Sequence, residues 1–466
     1  MLGNKNLKQA LNVDLSISSE MQTALERWAL IYQNQAPWVK YDLENSTPND
    51  VYSMNLGVAI ASEIARTATI EMVATVSGSP RADYLSESLQ RVVKKLRHQI
   101  EFGCAKGGLA MKPYVDGDKL AVDFVQADEF YPVDFNSDGD ITSAVFVDRR
   151  KIGRWWFTRL EYHSITEYEG LPAVQILNKA YRSSTEETLG NEVSLESVDE
   201  WADLEPDVIV KNVQRPLFGY FRFPKANAVD PDSPLGVSCY AGAEDLIRQA
   251  DKQWSRFLWE VEAGEMAVHV DETALARDST GKVSLPNKRL YRSLGSGATI
   301  GEGKLFQEWA PNLRVEEQIR ALDKILMVLE FQTGLAYGTL VTNPQNIDKT
   351  ATEIKMSKQR TAATITDTQK AIEKALDGLL FAMDVHATLY KLAPVGSYEA
   401  AYEFDDSIIV DKEFQRVQDL NEVNRGIMSK VEYRMRNYGE TEAQARQALQ
   451  MVEDERKPIV NMPGEE

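Results

Sequence analysis

The sequence predicts an α+β protein, and three patterns carry that prediction. The first is a helical period in the N-terminal third, where apolar residues recur every three or four positions within 19–32, 56–76 and 84–102. The second is a run of strand-like segments from 108 to 182, separated by short turns that contain Gly. The third is the return of helical periods after residue 232. Separate stretches of helix and strand are typical of the α+β class.

The composition is that of an acidic globular protein. The chain has 466 residues, of which 43% are apolar, and 52 basic against 71 acidic residues give a net charge of -19. Proteins that grip DNA by neutralising phosphates are usually basic, so this charge argues against a repressor or a nuclease but permits a protein past which DNA slides. No apolar run is long enough for a membrane span or a signal peptide, so a soluble protein made in a cytoplasm is expected.

Three β-hairpins are expected in the strand-rich stretch, with the turns DGDK, NSDGD and EGLP. The second turn also matches the start of an EF-hand calcium loop, since Asp134, Asn136 and Asp138 follow its spacing. The twelfth position of that loop must supply a bidentate Glu, and here it is Val145. A hairpin tip is therefore expected there instead of a calcium site.

An acidic segment follows the third hairpin. Residues 185–207 contain nine carboxylates and neither Lys nor Arg. Like charges in a run repel one another and stay hydrated, so a solvated loop is expected. The two cysteines, Cys104 and Cys239, are far apart and in no metal-type spacing, and we expect them to be core or interface residues.

Two helices bracket a small β-rich module in the second half of the chain. The first helix is expected over Ser238–Glu262, and the second from the N-cap Asn312 to about Gln332. The simplest arrangement is a pair of adjacent helices with the module, residues 266–309, at one tip.

A loop and a long helix come next. Gly338 and Asn343-Pro344 predict a loop over 334–349. A capping box at Thr350 begins a helical pattern that continues to about Lys391, with a bend expected at Gly378 or in the Thr-rich stretch before it. Helices are expected again from residue 405, with capping boxes at Ser429–Glu432 and Thr441–Gln444.

No catalytic set is recognisable in the sequence. It has no GxxxxGK[ST], HExxH or GxSxG motif, and its four histidines are scattered singly. The string GSGATIG is one residue too long for a dinucleotide-binding turn and follows no βαβ pattern. We therefore predict no enzyme activity, metal or cofactor, although an acid–base pair assembled in space stays open. A large chain without such motifs favours a structural protein.

Several segments occur in an order that is more specific than any one of them. They are SPLGVSCYAGAEDLIRQADKQWSRFLWEVEAGEMAVHVDETAL (233–275), LGNEVSLESVDEWADLEPD (189–207), RPLFGYFRFP (215–224), LEFQTGLAYGTL (329–340), TATEIKMSKQRTAATITDTQKAIEKAL (350–376) and DSIIVDKEFQRVQDLNEVNRGIMSKVEYR (406–434). In this order they resemble the portal proteins of tailed bacteriophages, of the type found in long-tailed phages of Gram-positive bacteria. The resemblance covers nearly the whole chain.

The resemblance implies a portal-protein fold, repeated in a ring of about twelve subunits around a tunnel. Its implied parts here are a wing at 1–235, a first stem helix at 236–265, a β-rich clip at 266–309, a second stem helix at 310–337, a tunnel loop at 338–349, a long wing helix at 350–400 and a helical crown at 401–466. The ring would occupy one capsid vertex of the virion after assembly in the bacterial cytoplasm. DNA would be packaged through it and later ejected.

The implied partners are further copies of the chain, the terminase large subunit, a head–tail adaptor, and the major capsid and scaffolding proteins. Double-stranded DNA would pass through without sequence specificity, and no membrane is involved. The packaging ATPase would belong to the terminase, which agrees with the missing nucleotide motif. Two alternatives stay open, namely another oligomeric virion protein, such as a minor capsid protein or connector, and an uncharacterised cytoplasmic hydrolase.

Three groups of residues are implied at functional surfaces. Facing DNA in the tunnel loop are Asn343, Gln345, Asn346 and Lys349. Facing the terminase or adaptor in the clip are Arg277, Lys282, Lys288 and Arg289, with simple solvated charges as the alternative. Packing subunits together in the stem are Trp254, Trp259, Ile319 and Leu322. Lys349 would add a ring of positive charge, unless it pairs with a neighbouring carboxylate.

Overall fold

The computed structural model describes residues 4–40, 50–70, 72–270, 291–293, 306–341, 351–404 and 412–456. It contains both helices and sheets, which confirms the predicted α+β class. The chain divides into two compact units, Met1–Phe404 and Asp405–Glu466. Within the described residues, no helix combines the length and the apolar character needed to cross a membrane.

Four helices form the N-terminal part of the first unit. They are α1 (Asn4–Leu11), α2 (Ser19–Tyr32), α3 (Leu56–Thr69) and α4 (Pro80–Lys106). Helix α2 has the predicted bounds, and the Ser18 hydroxyl caps it by accepting from the Met21 backbone N–H at 3.2 Å. The helix predicted over 56–76 is too long. Strand β1 (Val73–Ser77) follows α3 and pairs with β14 (Glu399–Glu403), a distant partner that no local period reveals.

Two sheets make up the centre of the first unit. A three-stranded sheet has the order β10–β2–β3, and a six-stranded sheet has the order β4–β5–β6–β7–β8 with β9 also beside β7. The bounds are β2 (Gly108–Asp116), β3 (Lys119–Gln126), β4 (Phe130–Phe135), β5 (Ile141–Ile152), β6 (Trp155–Tyr168), β7 (Leu171–Ser183), β8 (Asn191–Val193), β9 (Asp207–Lys211) and β10 (Gly219–Arg222). The three predicted hairpins are confirmed as β2–β3, β4–β5 and β6–β7.

The turn that resembles a calcium loop is a hairpin tip, as predicted. The Asn136 side-chain oxygen accepts from the backbone N–H groups of Asp138 at 3.0 Å and Asp140 at 2.8 Å. Gly139 has φ +79°, a conformation that glycine adopts without strain. The polar residues of this turn therefore stabilise its own backbone.

The prediction of a solvated loop over 185–207 is only partly right. The carboxylates are exposed, but the segment contains β8 and two short 3-10 turns, Leu195–Ser197 and Asp199–Trp201. Leu195 and Trp201 are buried against Phe157 of β6. The Trp201 indole N–H also donates to the Asp148 carboxylate at 3.1 Å. Apolar residues spaced between the charges fix the segment to the sheet.

The helix predicted from Ser238 begins later, as α5 (Glu244–Ala263). Residues before it form turns, because the Cys239 backbone N–H donates to the Cys104 carbonyl at 2.9 Å and so ties the chain to α4. Both cysteines are buried and unbridged, as expected of core residues. Burial raises the pKa of each thiol.

Helix α6 spans Val315–Thr333, so the prediction of Asn312 as its N-cap is wrong. The chain enters α6 at Arg314, whose backbone N–H donates to the Glu260 carboxylate of α5 at 2.9 Å. The tip between these helices holds three described strands, β11 (Ala267–Val270), β12 (Tyr291–Ser293) and β13 (Phe306–Trp309). Strand β11 lies between the other two.

The long helix is confirmed as α7 (Ala351–Leu389), while Thr350 lies outside the described residues. Helix α7 continues without a break through Gly378, one of the two places where the sequence predicts a bend. Gly378 has a packing role instead, because a Cβ there would lie 3.1 Å from the Gly219 Cα of β10. Two glycines thus let the helix cross close to the sheet.

The second unit is helical, as predicted from residue 405. Its helices are α8 (Lys412–Asn424), α9 (Lys430–Tyr438) and α10 (Glu442–Arg456). The capping box at Ser429–Glu432 is confirmed in part, because one of its two hydrogen bonds is present, and the capping box at Thr441–Gln444 is confirmed in full. Ser429 accepts from the Glu432 backbone N–H at 3.0 Å, and Thr441 and Gln444 bond to each other's backbone N–H.

Candidate functional site

The most unusual surface in the first unit is the hairpin of α5 and α6. Gln253 of α5 donates to the Gln318 carbonyl at 3.3 Å, and farther along α5 the Glu260 carboxylate receives the Arg314 guanidinium at 3.1 Å. This order of contacts makes the helices antiparallel neighbours, as the sequence predicts. The Arg314 hydrogen bonds hold the pKa of the Glu260 carboxyl below its usual range.

One end of this hairpin is anchored in the first unit by a half-buried carboxylate, Glu244, and a buried one, Asp251. The Trp28 indole N–H donates to Glu244 at 2.7 Å, at the first turn of α5. About two turns farther along α5, Asp251 is 1% exposed. Its carboxylate accepts from the Trp38 indole N–H at 2.8 Å and from the Met54 backbone N–H at 2.8 Å. Burial raises the pKa of Asp251. These anchors were missed in the sequence, where both carboxylates belong to the polar face of a helical pattern.

The other end of the hairpin is not covered by the described residues. In α5 the last buried residue is Ser255, and in α6 the first is Leu322. Between them lie exposed apolar side chains, including Val261 (39%), Met266 (57%) and Leu313 (40%). Two helices packed only against each other bury one seam and leave the rest of their apolar surface in water.

The predicted stem-packing residues divide into two kinds. Trp254, Trp259 and Ile319 are half-buried, and Trp254 stacks on Phe257 with ring centres 5.4 Å apart. Leu322 is 7% exposed, so the chain itself buries most of its side chain. The first three retain surface for a neighbouring subunit, and their role there stays a prediction.

The predicted DNA-facing and clip residues lie outside the described residues, namely Asn343, Gln345, Asn346 and Lys349, and Arg277, Lys282, Lys288 and Arg289. The described start of the predicted tunnel loop is nevertheless informative. Its backbone N–H groups at Gly338, Leu340 and Val341 donate to the Glu330 carboxylate at 3.2, 2.6 and 3.3 Å. Glu330 is 1% exposed, so this is a buried carboxylate enclosed by backbone donors.

Replacing Glu330 with alanine is expected to lower the free energy of unfolding by about 1–3 kcal/mol, because three backbone donors lose a buried charged acceptor. Urea unfolding curves measure this change in the free energy of unfolding. Hydrogen exchange at the Leu340 and Val341 amides, followed by mass spectrometry, should accelerate by more than this loss of global stability accounts for. The matched control is Glu317→Ala on the exposed face of the same helix, for which we expect a change within about 0.5 kcal/mol. Unchanged exchange at both amides would show that Glu330 does not hold this segment.

A second feature, inside the first unit, is a buried cluster of charges between the two sheets. Glu161 accepts from the Lys112 amine at 2.5 Å, the Arg159 guanidinium at 2.9 Å and the His163 ring at 2.7 Å. The Glu161 and His163 side chains are 10% and 3% exposed. The cations hold the pKa of Glu161 well below its usual range, whereas burial lowers the pKa of His163.

The aromatic surroundings of this cluster indicate a structural role. His163 packs edge-on against Phe146 and Phe218, with ring centres 5.1 and 6.1 Å away, and Lys112 lies 5.0 Å from the Phe146 ring centre. Strand β2 supplies Lys112, while β6 supplies the other three side chains. The cluster therefore joins the two sheets through charge-assisted hydrogen bonds in the core.

Neither a family model nor any curated protein matches the chain.

Proposed function

We propose that this chain is a portal subunit of a tailed bacteriophage, assembled as a closed ring at one capsid vertex. Double-stranded DNA would be packaged through the ring by a terminase and later ejected through it. A head–tail adaptor would attach to the β-rich tip, and the major capsid and scaffolding proteins would contact the ring from outside. The ordered resemblance along the sequence is the origin of the proposal.

The observation that carries the proposal is the helical hairpin. One end of it is anchored by Glu244 and Asp251, and the other end carries a small sheet. Among the described residues, nothing covers the apolar side chains between these ends. Copies arranged side by side around an axis would cover this surface, as expected of a tunnel stem. The order of hairpin, loop and 39-residue helix also agrees with the portal arrangement.

The electrostatics support a passage for DNA. Each copy carries a net charge of -19, so a ring of about twelve copies would repel phosphates over most of its surface. Weak contact is what a channel for a moving polyanion needs, since tight phosphate contacts would stall the DNA. Whether Lys349 and the amides of the tunnel loop touch DNA stays a prediction.

Assembly of the purified chain tests the proposal. Light scattering should give the mass of about twelve or thirteen subunits, and negative-stain class averages should show a ring of that symmetry with a central hole. Assembly should depend on protein concentration, because the apolar stem is covered only in the ring. A stable monomer or dimer at high concentration would contradict the proposal. An open or ring-free oligomer would favour the alternative of another virion protein.

A further inference from the structure

One end of strands β5, β6 and β7 carries cations that no carboxylate of the described residues neutralises. Lys151, Arg154 and Arg182, hereafter the cationic tip, are exposed, and none has an ion pair within the described residues. The Arg154 and Arg182 guanidinium groups lie 5.0 and 4.9 Å from the Trp155 ring centre. The Lys151 amine lies 5.5 Å from that of Trp156. Cation–π contacts thus hold the three exposed charges against the Trp155 and Trp156 rings.

The same end of this sheet carries a set of unpaired charges of opposite sign. Exposed carboxylates without an ion pair in the described part of the chain, hereafter the acidic edge, are Glu187, Glu192, Glu196, Asp199, Glu200 and Asp203. The ladder places Trp156 opposite Ser183, just before this segment, and Glu186 lies 3.7 Å from Arg149. The two charged surfaces therefore flank each other on one sheet.

Neither surface can collapse onto the other within one chain. The acidic edge is fixed by Leu195, Val198 and Trp201, which are buried against the sheet. The cationic tip is fixed by the stacking on Trp155 and Trp156. Six carboxylates held close together repel one another, and cations from outside the chain would relieve that repulsion.

A second copy of the chain fits these surfaces better than DNA does. A polyanion approaching the cationic tip would also meet the acidic edge at the same end of the sheet and be repelled. Another copy presents charges of both signs. Its acidic edge can contact the cationic tip of the first copy, while its own cationic tip contacts the acidic edge of a third copy. Contact between two different patches of identical subunits is heterologous, and it closes a ring when the rotation allows.

We propose that the cationic tip of each copy binds the acidic edge of the next copy around the ring. This inference rests on the proposed ring assembly and adds the electrostatic contact that sets the direction and order of the subunits. Complementary charge chiefly accelerates association and excludes wrong partners. The contact should therefore weaken in salt, since the Debye length falls to about 3 Å at 1 M ionic strength.

Two charge-reversal variants and their mixture test the proposal. The tip variant is Lys151→Glu/Arg154→Glu/Arg182→Glu. The edge variant reverses all six carboxylates, as Glu187→Lys/Glu192→Lys/Glu196→Lys/Asp199→Lys/Glu200→Lys/Asp203→Lys. Each variant alone is expected to need about tenfold more protein for half-assembly than the wild type, because like charges meet across every contact. An equimolar mixture should recover rings, because tip and edge variants can alternate with opposite charges at every contact.

A control matched to the tip variant carries the same change of net charge elsewhere. It is Lys94→Glu/Lys95→Glu/Arg97→Glu on the exposed face of α4, which should assemble like the wild type. Recovery in the mixture also shows that both variants are folded. If the wild type forms rings and each variant forms them equally well, this inference is overturned while the proposed function stands. If the wild type forms no rings under any concentration, the proposed function fails, and this contact fails with it.

Discussion

Replacing Glu161 with glutamine is expected to lower the free energy of unfolding by about 3–5 kcal/mol, because removing one partner leaves buried charges uncompensated. Lys112 and Arg159 both direct their charge at this carboxylate, and little water reaches them. Glutamine keeps the shape of the side chain but offers a neutral acceptor. Urea unfolding curves of the wild type and the variant measure the difference directly.

The control is Glu167→Gln, the same substitution on an exposed position of the same strand, with an expected change within about 0.5 kcal/mol. The pH dependence gives a second check on the cause. The pKa of Glu161 lies well below its ordinary value of 4.5 in the folded chain, so its stabilisation is complete above that pH and is lost as the pH falls toward the lowered pKa. The difference between wild type and variant should shrink below about pH 4.5. A variant as stable as the wild type at pH 7 would show that the cluster contributes no net stability.

Replacing Gly219 with alanine is expected to destabilise the first unit by about 3 kcal/mol, the upper end of the usual cost of overpacking, because the added methyl group would overlap backbone atoms. Its Cβ would lie 2.0 Å from the Ala375 carbonyl oxygen and 2.8 Å from the Leu379 backbone nitrogen. Both atoms belong to the backbone of α7, which cannot rotate aside as a side chain can. The helix would have to move away from β10 and lose buried contacts along its length. Thermal unfolding followed by circular dichroism measures the loss.

Gly378→Ala is the matched comparison on the other side of the same crossing. Its Cβ would approach the Gly219 Cα at 3.1 Å and the Phe218 carbonyl oxygen at 3.3 Å, so a shift of a few tenths of an ångström accommodates it. Alanine also favours the helix over glycine by about 1 kcal/mol, which offsets part of this strain. We expect a net change within about 1 kcal/mol of zero. Equal losses for the two variants would contradict a steric role specific to Gly219.

Local sequence patterns determined a large part of the fold. The bounds of α2 and the three hairpins follow from the period of apolar residues and from turn chemistry, both of which act over a few positions. The same applies to the caps at Ser429 and Thr441, and to the hairpin tip at Asn136. The candidate hairpin of α5 and α6 was also predicted, because two apolar stripes flanking a β-rich stretch have a simple arrangement.

Tertiary contacts decided what local patterns could not. Strand β1 needs a partner from residues 399–403, and the start of α6 is set by the Glu260 carboxylate. The local sequence predicts a helix bend at Gly378, yet this glycine lets α7 pass close to Gly219 of β10. Glu161 and Glu330 are ordinary carboxylates in the sequence and become buried acceptors in the fold. The physical reason is common to all of these cases. Burial and long-range hydrogen bonds depend on residues far apart in the chain, and a single sequence records only the near neighbours.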